Sequence, residues 1–192
     1  MIYNREFTEV LILEDRTTEV INTKNFLWFS ETIIETGTCN GAGIDRFLTA
    51  GYSDIRSVEM SDNWFSYSSG KFSGNPHVKI WHGDSREKLT EMLPDKPAVV
   101  ILDAHPAGLG TAGHDDLVKH EGDGKAHLSN FHGDNILEKE ILILKESQHK
   151  HLIIIDDQHS VNPRWVELLT DYDWEHVNKK YLVFIPKKSN DE

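Results

Sequence analysis

The chain has 192 residues, 38% of them apolar or aromatic, enough to bury one sizeable core and short for two. Its formal charge of -12, from 32 acidic against 20 basic residues, opposes a polyanionic partner and argues against nucleic acid as a substrate. No run approaches the roughly 20 apolar residues of a membrane-spanning helix, the charged stretch Met1 to Asp15 resembles no secretory signal, and Cys39 is the only cysteine, so no internal disulfide forms. A cytoplasmic protein with no membrane partner is expected.

Along the chain, Phe26 to Phe29 read as a leading helix or cap over a ligand or a sheet edge. Thr32 to Glu35 is the first of several short β-branched runs that end in polar or glycine-bearing segments, as buried parallel strands do. Ile55 to Glu59, Val78 to Trp81, Ala98 to Leu102 and Leu152 to Ile155 follow the same pattern. Gly43 to Ala50, Ser85 to Leu93 and Asn135 to Glu146 read as intervening helices, the last with Ile136, Leu137, Ile141 and Leu144 on one stripe. Asn162-Pro163 opens a short helix through Leu169, since proline is tolerated in a first turn. Trp174 to Val177 and Tyr181 to Ile185, joined by Asn178-Lys179-Lys180, predict a hairpin. The expected fold is therefore α/β, a doubly wound, mostly parallel seven-stranded sheet closed by a C-terminal antiparallel hairpin, in one domain spanning 1–192. Ala107 to Gly133 breaks the alternation. It is rich in glycine and histidine and reads as a lid-like insertion over the site, its histidines His114, His120, His127 and His132 matching no common zinc spacing.

The most informative motif is Glu35-Thr36-Gly37-Thr38-Cys39-Asn40-Gly41-Ala42-Gly43, a G-x-x-x-G-x-G loop between a strand and a helix. Glycines permit positive φ and close approach of a ligand, and the following helix N-terminus can receive an anion. The spacing is not that of the dinucleotide fingerprint, and no G-K-[ST] is present, which excludes a Walker-type phosphate loop. Acids then recur at strand ends: Glu59 after the second strand, Asp84 after the third, Asp103 after the fourth, and Asp156 and Asp157 after the fifth. Ligands of open α/β sheets gather at those carboxyl ends.

The loop Glu35 to Gly43 resembles motif I of the class I S-adenosylmethionine-dependent methyltransferases, and the resemblance runs from Ile33 to Asp157. It implies S-adenosylmethionine as cofactor, bound by Glu35, Gly37, Thr38, Gly41, Gly43, Glu59, Met60, Asp84, Ser85 and Asp103. Glu59 would take the ribose hydroxyls and Asp84 the adenine amino group, with Trp64 or Phe65 covering the ring. Asp103 and His105 would face the acceptor, His105 as general base. The chain also resembles, more loosely, O-methyltransferases that hold a substrate hydroxyl on a metal, which points to Mg²⁺ on Asp103, Asp156 and Asp157. The implied activity is methyl transfer to an oxygen or nitrogen nucleophile of a small molecule. Two other readings stay open: a metal-dependent hydrolase or transferase using Asp103, His105, Asp156 and Asp157, and a non-catalytic S-adenosylmethionine-binding module. The acceptor is not legible, and a homo-oligomer is expected if Trp28, Phe29 and Trp165 form an uncovered aromatic cluster.

Overall fold

The structure is a computed structural model that describes residues 23–104, 134–156 and 162–188. Seven strands form one sheet: β1 (Thr32–Thr36), β2 (Asp54–Glu59), β3 (Val78–His82), β4 (Val99–Leu102), β5 (Leu152–Ile155), β6 (Tyr172–Val177) and β7 (Tyr181–Pro186). Their order is β3-β2-β1-β4-β5-β7-β6, parallel from β3 to β5, with β7 antiparallel to both β5 and β6. The expected doubly wound sheet with its terminal hairpin is thus present. The helices are α1 (Ala42–Ala50), α2 (Asp62–Lys71), α3 (Ser85–Met92), α4 (Asp134–Glu146) and α5 (Pro163–Leu168). The insertion expected at 107–133 lies outside the described residues.

Strands β1, β4 and β5 are buried along their whole length, as their unbroken β-branched runs require of central parallel strands. Alternate residues feed two cores. Ile34, Val100, Leu102, Ile153 and Ile155 pack under α3, α4 and α5 with Leu89, Met92, Leu137, Ile141, Leu144 and Trp165. Ile33, Ile55, Val99, Ile101 and Ile154 face the other way, where Ile44 and Phe47 of α1 meet them.

Phe26, expected in a leading cap, ends a 3₁₀ turn (Thr23–Phe26) and is fully buried in that second core. The Tyr52 hydroxyl donates to the Thr23 carbonyl at 2.8 Å and fixes the turn against the end of α1. The turn therefore covers one sheet face. Trp165 is buried and Phe29 half-buried, so among Trp28, Phe29 and Trp165 only Trp28, 56% exposed, is open to solvent. Helix α2 has no counterpart among the elements expected from the sequence. Its residues, DNWFSYSSGK, bury only Ser68 and form no apolar stripe; Ser61 caps it by accepting from the Trp64 amide, and Asp62 stands in its first turn. Helix α5 starts as expected, with Asn162 as cap and Pro163 in the first turn.

At the opposite rim from the glycine loop, His151 ties three elements. Its Nδ1 accepts from the Ala98 amide (3.2 Å) and its Nε2 meets the Ser147 hydroxyl (2.9 Å), joining the entrances to β4 and β5 to the end of α4. Burial pushes its pKa down to about 4, with His149 adding to the shift, so it folds as the neutral imidazole. The unfolded chain takes up this proton near pH 6.5 and the folded one only near 4. Stability should therefore fall as pH drops through that window, on the order of 1–3 kcal/mol. Urea unfolding of His151→Asn, whose amide oxygen can still accept from Ala98, should show a smaller loss between pH 6.5 and 4.5 than the parent protein.

Candidate functional site

Parallel register brings the carboxyl ends of β1, β2, β3 and β4 to one rim: Thr36 stands beside Val58 and Leu102, Glu59 beside His82. The glycine loop folds back over that rim, with the Gly37 and Thr38 amides both donating to the Val58 carbonyl (2.9 and 3.1 Å). Its other contacts explain its composition. A Cβ on Gly37, at φ +88°, would stand 2.9 Å from the Asp103 carbonyl oxygen, and one on Gly43 would overlap the Glu35 carboxyl. The space these glycines leave is taken first by the protein's own backbone and by Glu35.

Glu35 is 5% exposed and rests against the first turn of α1. The Ser57 hydroxyl donates to its Oε2 (2.9 Å), and Thr38 reaches Ser57 in turn (2.6 Å), so the loop, β1 and β2 share one buried polar chain. Thr38, only 2% exposed, thus turns its side chain inward. Burial pushes the Glu35 pKa up to about 8; the Ser57 hydrogen bond opposes this, and the Asp103 and Glu59 charges add to it.

Glu59 is held from two sides. Its Oε2 accepts from the Cys39 amide (2.7 Å) and its Oε1 from the Ser61 amide (2.8 Å), across half-buried Met60. A carboxylate oxygen has a second lone-pair direction, so this group, fixed in orientation, can still accept a pair of ligand hydroxyls. Cys39 adopts φ +49° to deliver its amide, an uncommon conformation for a side-chain-bearing residue. Burial raises its thiol pKa, so it stands in the loop as a neutral group. From α2, the Lys71 ammonium reaches the Asn40 carbonyl and the Asp45 carboxylate, and the Phe72 ring lies where a Cβ on Gly41 would fall.

Asp84 caps α3 through the Arg86 amide (2.9 Å) and binds the Arg86 guanidinium through both carboxylate oxygens. Burial works against its ionisation, but the Arg86 hydrogen bonds and charge prevail and lower its pKa. Arg86 shares it with any amino group that arrives. Ser85, 6% exposed, opens the same helix. Asp103 begins the turn after β4, and its amide and that of Ala104 both donate to the Thr36 hydroxyl oxygen (3.1 and 3.2 Å).

Asp156 follows β5, adjacent to β4, with the Lys180 ammonium 3.7 Å from its carboxylate. Among the described residues no three His, Cys, Asp or Glu side chains gather as metal ligands. His105 and Asp157, like the histidines of the expected lid and His159, lie outside the described residues. Phe65 stacks on His82 with ring centres 4.4 Å apart, and Trp64 meets the edge of Tyr67, so both aromatic candidates already have ring partners. Ser57, Thr36 and Arg86 are the site residues that composition and spacing did not single out. Arg86 alone left a local signal, a cation two residues after an acid at a helix start.

The strand order, the antiparallel β7 and the glycine loop after β1 define the class I methyltransferase fold. A candidate caffeoyl-CoA O-methyltransferase from Staphylococcus aureus superposes with a TM-score of 0.55 at 18% identity, over 95% of this chain and 90% of that one. A candidate methyltransferase from Escherichia coli gives 0.54 at 10% identity, over 86% and 82%. A candidate methylase from Haemophilus influenzae gives 0.51 at 12%, over 93% and 92%. No protein-family model matches the chain, and no curated protein matches it in sequence.

Because the folded state holds a proton on Glu35 up to about pH 8 while the unfolded chain releases it near 4.5, the contribution of Glu35 to stability should be full below about 4.5 and decline as pH rises toward 8. Glu35→Gln should flatten that decline by about 1 kcal/mol or more, measured as urea unfolding free energy at pH 5 and pH 8. An unchanged slope would show that Glu35 is ionised in the folded protein.

Proposed function

We propose that this protein transfers the methyl group of S-adenosylmethionine to an oxygen or nitrogen nucleophile on a small acceptor. The observation that carries the reading is Glu59, which ends β2 beside the glycine loop and is held by the Cys39 and Ser61 amides with accepting capacity left for a ribose diol. A phosphate at this rim would face the charges of Glu59 and Asp103. A nucleoside without phosphates, carrying cationic groups, meets the opposite situation.

S-adenosylmethionine supplies a methyl group already activated by its sulfonium. What remains for the chain is binding, alignment and removal of a proton from the acceptor. Glu59, oriented by the Cys39 and Ser61 amides, suits a ribose diol. The turn at Asp103, fixed on Thr36, gives the acceptor side a defined backbone, and we assign Asp103 and His105 to that side, His105 as general base. Adenine would lie along Met60, Asp84 and Ser85. Assistance by Mg²⁺ on Asp103, Asp156 and Asp157 is a finer part of the same proposal, as are a small-molecule acceptor and the absence of nucleic-acid and membrane partners. No helix among the described residues is long and apolar enough to cross a membrane.

Calorimetric titration with S-adenosylmethionine and with NAD, each with and without Mg²⁺, tests the reading. Saturable binding of the first and none of the second is expected, with Glu59→Gln weakening affinity about tenfold or more, the loss typical of a hydrogen bond to a charged group. Failure to bind S-adenosylmethionine in both metal conditions would overturn the proposal. Turnover that survives chelation would remove the metal from it, and turnover lost to chelation and restored by Mg²⁺ would retain it.

A further inference from the structure

Helix α4 presents Leu137, Ile141 and Leu144 to the core, and Glu140 stands on the same stripe. It is 0% exposed, and neither carboxyl oxygen meets a donor at full hydrogen-bonding geometry, although the Ser85 and Thr36 hydroxyls stand near enough to act on it. A buried carboxyl in that condition lacks the compensation that buried polar groups ordinarily find, whereas a leucine there would carry no such deficit. Burial pushes its pKa up to about 7. The Ser85 and Thr36 hydroxyls oppose that shift, Asp84 adds to it and Arg86 opposes it. Helix α4 packs on α3 and shares a core with Ile34 of β1, on the strand face that also carries Thr36, and with Leu89, one turn after Ser85, which places Glu140 beneath the rim described above.

Thr36 has a matching need. Its hydroxyl oxygen already accepts two amides, those of Asp103 and Ala104, so both lone pairs are used. Its own hydrogen still requires an acceptor, because the residue is fully buried and water cannot supply one. We propose that Glu140 is a positioning residue whose carboxyl accepts the Thr36 hydroxyl, thereby holding the Asp103–Ala104 turn, and accepts the Ser85 hydroxyl, thereby holding the first turn of α3. One side chain from α4 then fixes both the acceptor-side turn and the adenine-side turn. That second part of its meaning rests on the proposed function; the mechanical part does not.

Amide hydrogen exchange separates the two. In the ligand-free protein, Thr36→Val and Glu140→Leu should each lower the protection of the Asp103 and Ala104 amides by about tenfold, with little change at the β5 amides. The double variant should be no worse than either single one, because both break the same link. Glu140→Gln, whose amide oxygen can still accept a hydroxyl, should restore protection and keep the assay informative if the leucine variant fails to fold. A uniform loss across the sheet, additive effects, or no rescue by glutamine would overturn the proposal. Affinity for S-adenosylhomocysteine is measured on the same proteins: Glu140→Leu should weaken it and Glu140→Gln should not. Equal affinity in the parent, leucine and glutamine proteins would overturn the link to the cofactor site. Absence of binding by the parent protein would defeat the functional reading, while the exchange data would still decide the role of Glu140.

Discussion

The site depends on a carboxyl group that the protein keeps for itself. Glu35 leaves β1 on the α1 side of the sheet and fills the notch opened by Gly43, and Ser57 and Thr38 secure it from β2 and from the loop. Strand β1, the loop that follows it and strand β2 are thereby fixed around one buried group. A glycine at position 43 is required by this packing before any ligand is considered, since a Cβ would collide with Glu35.

The remaining acids divide according to what already holds them. Glu59 is oriented by two amides and retains accepting capacity. Asp84 is engaged by Arg86, and Asp156 faces Lys180. Asp103 contributes its backbone as much as its side chain, through the Thr36 hydroxyl and through the close passage of its carbonyl by Gly37. A row of strand-end acids that looks equivalent in sequence thus becomes one acceptor with capacity to spare, one helix cap, one ion-pair partner and one turn former. Position at the rim is shared, and accepting capacity is not.

Much of the fold was legible because the central strands are long enough runs of Ile, Val and Leu to have no other reading, and because Asn178-Lys179-Lys180 separates two such runs at hairpin distance. Asn178 and Lys179 both adopt φ +54° there, closing the turn that spacing alone implied. Helix α2 escaped for the converse reason: a serine-rich surface helix that buries one small residue carries no periodic signal, and only its Ser61 cap marked it. At the site, acids at strand ends could be found because topology assigns strand ends to ligands. The partners of those acids could not, since Ser57 and Thr36 are ordinary strand residues until the register of β1, β2 and β4 is known. Glu140 did leave a trace, a charged residue three positions after Leu137 and four before Leu144, where a core-facing stripe should be apolar.

The antiparallel β7 has a consequence for how the chain is made. Strand β5, whose sequence is Leu-Ile-Ile-Ile, pairs on one side with β4 and on the other with β7, the last strand in the sequence. During synthesis the four strands that carry the glycine loop and its acids emerge and can pair while that second edge of β5 is still bare. A nascent chain halted before Val183 exposes an apolar, unpaired strand of the kind that recruits other chains. The closing hairpin therefore covers an edge that a chaperone would otherwise have to shield, and a chain cut short before β7 leaves that edge open.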